Sequence, residues 1–130
     1  MPIMNQDICF RSIGRVINQY NESTKPEIIR AADSTIVLDP DLTEGLNGLE
    51  SGQQIMVIFY FDRSEGYELM GHPRGDTSRP RRGVFSLRSP RRPNPIGVTV
   101  VELVSIEGNV LQVRGLDALN DTPVLDIKPA

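Results

Sequence analysis

The chain of 130 residues has no tryptophan, only seven other aromatic residues, one cysteine, one histidine and two lysines. A lone cysteine, Cys9, permits no internal disulfide, and with His72 as the sole imidazole no cluster has metal-ligand spacing, so no metal site is expected. Cys9 beside Phe10 reads as a small buried hydrophobe, and His72 has no obvious partner. No apolar run approaches the ~20 residues of a membrane helix. The start, "MPIMNQDICF", lacks the basic head and long apolar stretch of a secretory signal, so a cytoplasmic protein is expected. Neither GxGxxG after a strand nor GxxxxGK[ST] occurs, which removes the usual support for dinucleotide or P-loop phosphate binding. Scarce aromatics also count against a single-strand binder built on base stacking.

Arginine is abundant: 12 residues, unevenly placed. The net charge of −3 conceals a strip over residues 72–92 in which seven arginines face a single acid, Asp76. A planar guanidinium grips phosphate or carboxylate through paired hydrogen bonds, which an ammonium does not. The strip therefore reads either as a solvated loop or as a phosphate-binding surface, whose affinity would fall with salt as counterions compete.

Branched and aromatic residues recur in seven runs bounded by turn formers: 12–18, 34–39, 54–61, 67–71, 83–89, 97–108 and 109–117. Gly108-Asn109 reads as a two-residue hairpin turn. "QIMVIFYF" (54–61) is continuously apolar, which predicts a central strand buried on both faces. Leu42, Leu46 and Leu49 fall at helical spacing within 39–51, although Gly45 and Gly48 keep that helix short. The expectation is one all-β domain over 1–130, a single-sheet antiparallel β-barrel with one or two short helices. Were the sheet half open, its edges would need a partner subunit; a closed barrel would not. The polar stretch 71–83 reads as a loop that orders on binding.

The segment "RSPRRPNPIG" (88–97) carries the chemistry. Pro90, Pro93 and Pro95 fix their own φ and drive Ser89, Arg92 and Asn94 toward extended backbone, so the corner is stiff before a ligand arrives. Proline supplies a carbonyl without a competing N–H, which suits a ligand bearing amino groups such as adenine. Asn94 adds a side-chain acceptor and donor, and Gly97 allows close backbone approach. In "GLDALNDTPVLDIKPA" (115–130), Asp121 reads as a turn cap, and Asp126 sits in the apolar run "PVLDI", where an acid needs a partner; an arginine of the strip is the expected one.

Together, "RGVFSLRSPRRPNPIGVTVVEL" (82–103) and "GLDALNDTPVLDIKP" (115–129), with "IGRVIN" and "GLNGLE" in support, resemble the small β-barrel S-adenosylmethionine-dependent tRNA (adenine-N6)-methyltransferases. The resemblance covers nearly the whole chain. It implies a homodimer, S-adenosylmethionine as methyl donor, and N6-methylation of the threonylcarbamoyl-modified adenine-37 beside the tRNA anticodon. Carried over by matching position, it implies donor contacts from Asp62, Arg63 and Ser64, from Arg88, Pro93, Asn94, Pro95, Ile96, Gly97 and Val98, and from Leu116, Asp117 and Thr122. Two positions depart from the family: Ala130 stands where members carry tyrosine, and Asp121 where they carry glycine.

The donor's sulfonium is positive, so arginines are expected at its carboxylate and at RNA phosphates, here Arg79, Arg81, Arg82, Arg91 and Arg92 together with Lys128; Asp117 is expected to hold ribose hydroxyls. The lone pair of an adenine amine is delocalised into the ring, so acceptors must redirect it. Asn94 or the carbonyls flanking Pro95 are expected to do so, with Asp126 as nominee for orienting or proton-accepting work. Two other readings fit the same residues: a non-catalytic RNA- or nucleotide-binding barrel, and a methyltransferase acting on a small molecule.

Overall fold

A computed structural model describes residues 6–22 and 24–130. Six strands, β1 (Gly14–Ile17), β2 (Asp33–Leu38), β3 (Gln54–Tyr60), β6 (Ile96–Glu107), β7 (Val110–Arg114) and β8 (Pro123–Pro129), close an antiparallel barrel in the order β1-β2-β7-β6-β3-β8. Two further strands, β4 (Met70–Gly71) and β5 (Arg82–Gly83), form a separate ribbon. Closure leaves the barrel without edges, so edge covering is not what a partner subunit would be needed for.

Alternation decides what is inside. Val16, Ile36, Ile55, Val57, Phe59, Val101, Leu103, Leu111, Val113 and Val124 point inward into one core. β3 differs from the sequence reading. Its second face, Met56, Ile58 and Tyr60, is half-buried or exposed, because the strand belongs to a barrel wall and not to a sheet covered on both sides. Across the wall Tyr60 stands opposite Ile96, Ile58 opposite Val98 and Met56 opposite Val100, which leaves an apolar outer stripe.

Local chemistry explains the other differences. The run 83–89 is not a strand: only Gly83 pairs, and Val84–Ser86 is a 3-10 turn. Of 67–71 only Met70–Gly71 pairs. The leucine segment is a 3-10 helix, Pro40–Leu46, started by Asp39, whose carboxylate accepts from the Asp41 amide. A second short helix, α1 (Pro26–Arg30), fits the expected one or two, but its place is not legible in the sequence; Pro26 starts it, and with five residues it has too few apolar positions to show a period. Cys9 and Phe10 are exposed, not buried. His72 does have a partner, as its Nδ1 lies 2.7 Å from the Arg79 carbonyl oxygen. Among the described residues no helix is long and apolar enough to cross a membrane.

Candidate functional site at the loop-bearing end of the barrel

Antiparallel closure brings the sequence's candidate donor-binding segments to one end. The ends of β1, β3 and β7 and the beginnings of β2, β6 and β8 share that rim, so segments 18–32, 61–95 and 115–122 converge there. The opposite end carries the 3-10 helix Pro40–Leu46 and the Gly108-Asn109 turn.

The proline corner is fixed by its own hydrogen bonds. The Phe61 amide donates to the Pro95 carbonyl at 2.7 Å, and the Ile96 amide donates to the Asn94 carbonyl at 2.7 Å. Both carbonyls flanking Pro95 are thus engaged, which leaves the exposed Asn94 side chain as the freer acceptor; among the described residues it makes no hydrogen bond. The Pro90 carbonyl accepts from Ser64 Oγ at 3.1 Å. Arg92 staples the corner, its guanidinium donating to the Leu87 carbonyl at 2.8 Å and the Ser89 carbonyl at 3.2 Å. Arg88 donates to the Val98 carbonyl at 3.3 Å and is otherwise exposed.

Gly97 owes its identity to packing. A methyl there would stand 2.7 Å from Cζ of both Phe59 and Phe61, whose rings pack edge to face with centroids 5.1 Å apart. The space that the sequence reading reserved for a ligand is occupied by the core. Leu116 and Thr122 are likewise buried, so their part in the site is to anchor backbone and not to present side chains.

Asp117 holds both carboxylate oxygens in use: Thr99 Oγ1 donates to Oδ1 at 2.7 Å, and the Arg30 guanidinium of α1 donates to Oδ2 at 2.7 Å. Arg63, a sequence candidate for donor binding, spans two other loops, donating to the carbonyls of Asn21 and Asn120. Asn18 ties the same loops, donating to the Ala118 carbonyl at 2.9 Å and to buried Ser34 at 3.2 Å. Arg30, Thr99 and the asparagine set Asn18, Asn21 and Asn120 were missed in the sequence; the recurrence of Asn in turn segments was the available signal. Asp62, Pro93, Ile96 and Val98 remain exposed at the rim or just below it.

Of the basic candidates, the guanidinium groups of Arg79, Arg81, Arg82 and Arg91 are exposed and make no ion pair among the described residues. Arg92 is spent on the corner, and Lys128 pairs with Asp126 at 2.8 Å. The partner of Asp126 is therefore Lys128 and not an arginine of the strip. A bulge explains it: Phe59 stands opposite Val124 but Ile58 opposite Asp126, so Leu125 is the extra residue and Asp126 turns outward, its side chain 49% exposed. The Lys128 hydrogen bond, opposed by partial burial, holds its pKa below the usual carboxylate value. Asp126 lines a groove of about 560 Å³ with Ile13, Leu42, Leu46 and Leu49, at the opposite end from Asn94. That groove, lined by leucines, shares none of the rim's convergent hydrogen-bonding groups.

Comparison with known proteins bears on this rim. Residues 18–130 match the family described as tRNA-methyltransferase O N-terminal domain. A probable S-adenosyl-L-methionine-binding protein of Pyrococcus abyssi is 38% identical over 133 residues, covering 99% of this chain and 70% of the relative. A tRNA (adenine(37)-N6)-methyltransferase of Rattus norvegicus is 40% identical over 86 residues, 65% of this chain and 20% of its own length. The crystal structure of TrmO from P. aeruginosa superposes with a TM-score of 0.76 at 31% identity, covering 99% of this chain and 57% of that one. The chain thus spans a little over half the length of that TrmO.

Proposed function

The chain belongs to the tRNA-methyltransferase O N-terminal-domain family, and from that premise we propose that it transfers a methyl group from S-adenosyl-L-methionine to N6 of the threonylcarbamoyl-modified adenine-37 beside a tRNA anticodon. Relatives named for S-adenosyl-L-methionine binding and for tRNA adenine-N6 methylation support donor and acceptor. The observation that carries the reading is the state of Asn94: an exposed amide on a corner whose flanking carbonyls are already engaged.

The rim residues fit the donor. Arg88 has guanidinium N–H groups left for its carboxylate, and each Asp117 oxygen, having accepted one hydrogen bond, keeps lone-pair capacity for a ribose hydroxyl. When bound, the donor supplies an electrophilic methyl on a sulfonium. The carbamoyl-bearing N6 has a single hydrogen, which Asn94 would accept through Oδ1, so that the nitrogen is turned toward the methyl group. That same hydrogen would leave as a proton, passed on to solvent, as the N–C bond forms and the C–S bond breaks. Catalysis of this kind is positioning, and needs no buried base. Arg79, Arg81, Arg82 and Arg91 hold phosphates of the RNA.

A homodimer belongs to this reading. The outer stripe of Tyr60, Ile96, Val98 and Val100 is exposed and contiguous, and a second copy covering it would remove it from water. A tRNA substrate makes the cytoplasm its place of action. Mass spectrometry of nucleosides from tRNA incubated with protein and donor tests the proposal: N6-methylated threonylcarbamoyladenosine is expected. Donor binding without a methylated nucleoside would favour a small-molecule acceptor, and RNA binding without donor binding would favour a non-catalytic module.

A further inference from the structure

We propose that Phe85 is a stacking platform for one unpaired base of the RNA strand that the arginine strip holds. The identity of that strand as tRNA rests on the reading above; the platform itself rests on how the turn is built. Phe59 and Phe61 are committed to the core and its margin, whereas Phe85 is 80% exposed. Phe10 is as exposed, but it precedes β1, outside the strip.

The display of Phe85 is imposed by its neighbours. Val84 is buried, and its amide donates to the Leu69 carbonyl at 2.9 Å. Ser86 Oγ donates to the Gly83 carbonyl at 2.7 Å, and the Leu87 amide to the Val84 carbonyl at 3.1 Å, which closes the 3-10 turn. With Val84 pinned inward, the adjacent ring is thrown outward on backbone already ordered, so a ligand stacking on it need not order the loop. β5 places Arg82 three residues before the ring, and the chain places Arg88 three residues after it.

The surroundings choose the occupant. An apolar protein surface laid on Phe85 would strip water from Arg81, Arg82 and Arg91, which make no ion pair among the described residues; the strip's only acid, Asp76, accepts through Oδ1 from the Ser78 amide and hydroxyl. RNA offers a π-face for the ring and phosphates for the arginines at once, and every base has such a face. Stacking adds affinity that is independent of counterions, whereas the arginines add affinity that salt erodes.

The test compares Phe85→Ala, Phe85→Leu and Phe85→Tyr with the unaltered chain, using an RNA stem–loop carrying 2-aminopurine in its loop. Titrations at several salt concentrations are run alongside donor titration and sedimentation. Expected are an affinity loss of about 10-fold for Phe85→Ala, near-full retention by Phe85→Tyr, an intermediate value for Phe85→Leu, and an unchanged salt slope. The fluorescence quench on binding should vanish with Phe85→Ala. Unaltered RNA affinity and quench overturn the proposal. So does a fall in donor affinity with RNA binding intact, which assigns the ring to the donor, or a change of oligomeric state, which assigns it to a second copy. A parent chain that binds RNA and shows the quench but methylates nothing sinks the functional reading and leaves the platform standing; one that binds no RNA sinks the platform.

Discussion

The amide of Asn94 stands exposed beside carbonyls that each already accept a hydrogen bond, from Phe61 and from Ile96, so the side chain is the corner's freest means of directing an adenine N6. Replacing it with alanine should lower methylation about 100-fold while donor affinity stays nearly constant, since an interaction made as the bond forms raises kcat and not ground-state binding. Single-turnover kinetics with parallel calorimetry separates the two; unchanged turnover would remove Asn94 from the chemistry. Asp126 has the opposite situation. Its hydrogen bond to Lys128 lowers its pKa, so it stays ionised at neutral pH and is a weak proton acceptor. A lowered folded-state pKa means its contribution to stability is present above the ordinary value of about 3.9 and is lost as pH falls through the lowered one. Unfolding midpoints measured against pH should therefore drop in acid less steeply for Asp126→Asn than for the parent, with methylation at neutral pH little affected. A large loss of neutral-pH activity in that variant would restore Asp126 to the mechanism.

At the scale of elements, what was legible in the sequence was periodicity. The barrel strands β1, β2, β6 and β7 fall within a residue or a few of the runs that predict them, because one face of each must be apolar. β8 was read only as a motif, since Pro123 and Pro129 at its ends disguise a strand, and the Leu125 bulge breaks the alternation that would have shown Asp126 facing out. The run 83–89 deceived in the other direction: Val84 and Phe85 have strand-like composition but diverge to opposite environments across a 3-10 turn. Asp121 adopts φ of 67°, in the left-handed region that favours glycine, the residue that the family resemblance implies at this position. Gly97, by contrast, is required by the Phe59 and Phe61 rings, a long-range contact no local pattern reveals. Gly97→Ala should destabilise the barrel by about 1–3 kcal/mol, read from urea unfolding; stability equal to the parent would mean that the rings shift freely.

For the whole molecule, the closed barrel is a rigid holder that gathers three loop segments on one rim and displays an arginine strip beside them. The strip was evident from composition. Which arginines are free was not, because that depends on which carbonyls the fold brings near Arg63, Arg88 and Arg92. Replacing both Arg81 and Arg82 with alanine should weaken tRNA binding and flatten the plot of log affinity against log salt by about one to two units of slope; an unaltered slope would show that they face away from RNA. All of this presupposes that the rim holds the methyl donor. Calorimetric titration of the purified chain with S-adenosyl-L-methionine tests that most directly: saturable binding in the sub-millimolar range, weakened by Arg88→Ala, is predicted, and the absence of binding at millimolar donor to correctly folded protein would contradict it.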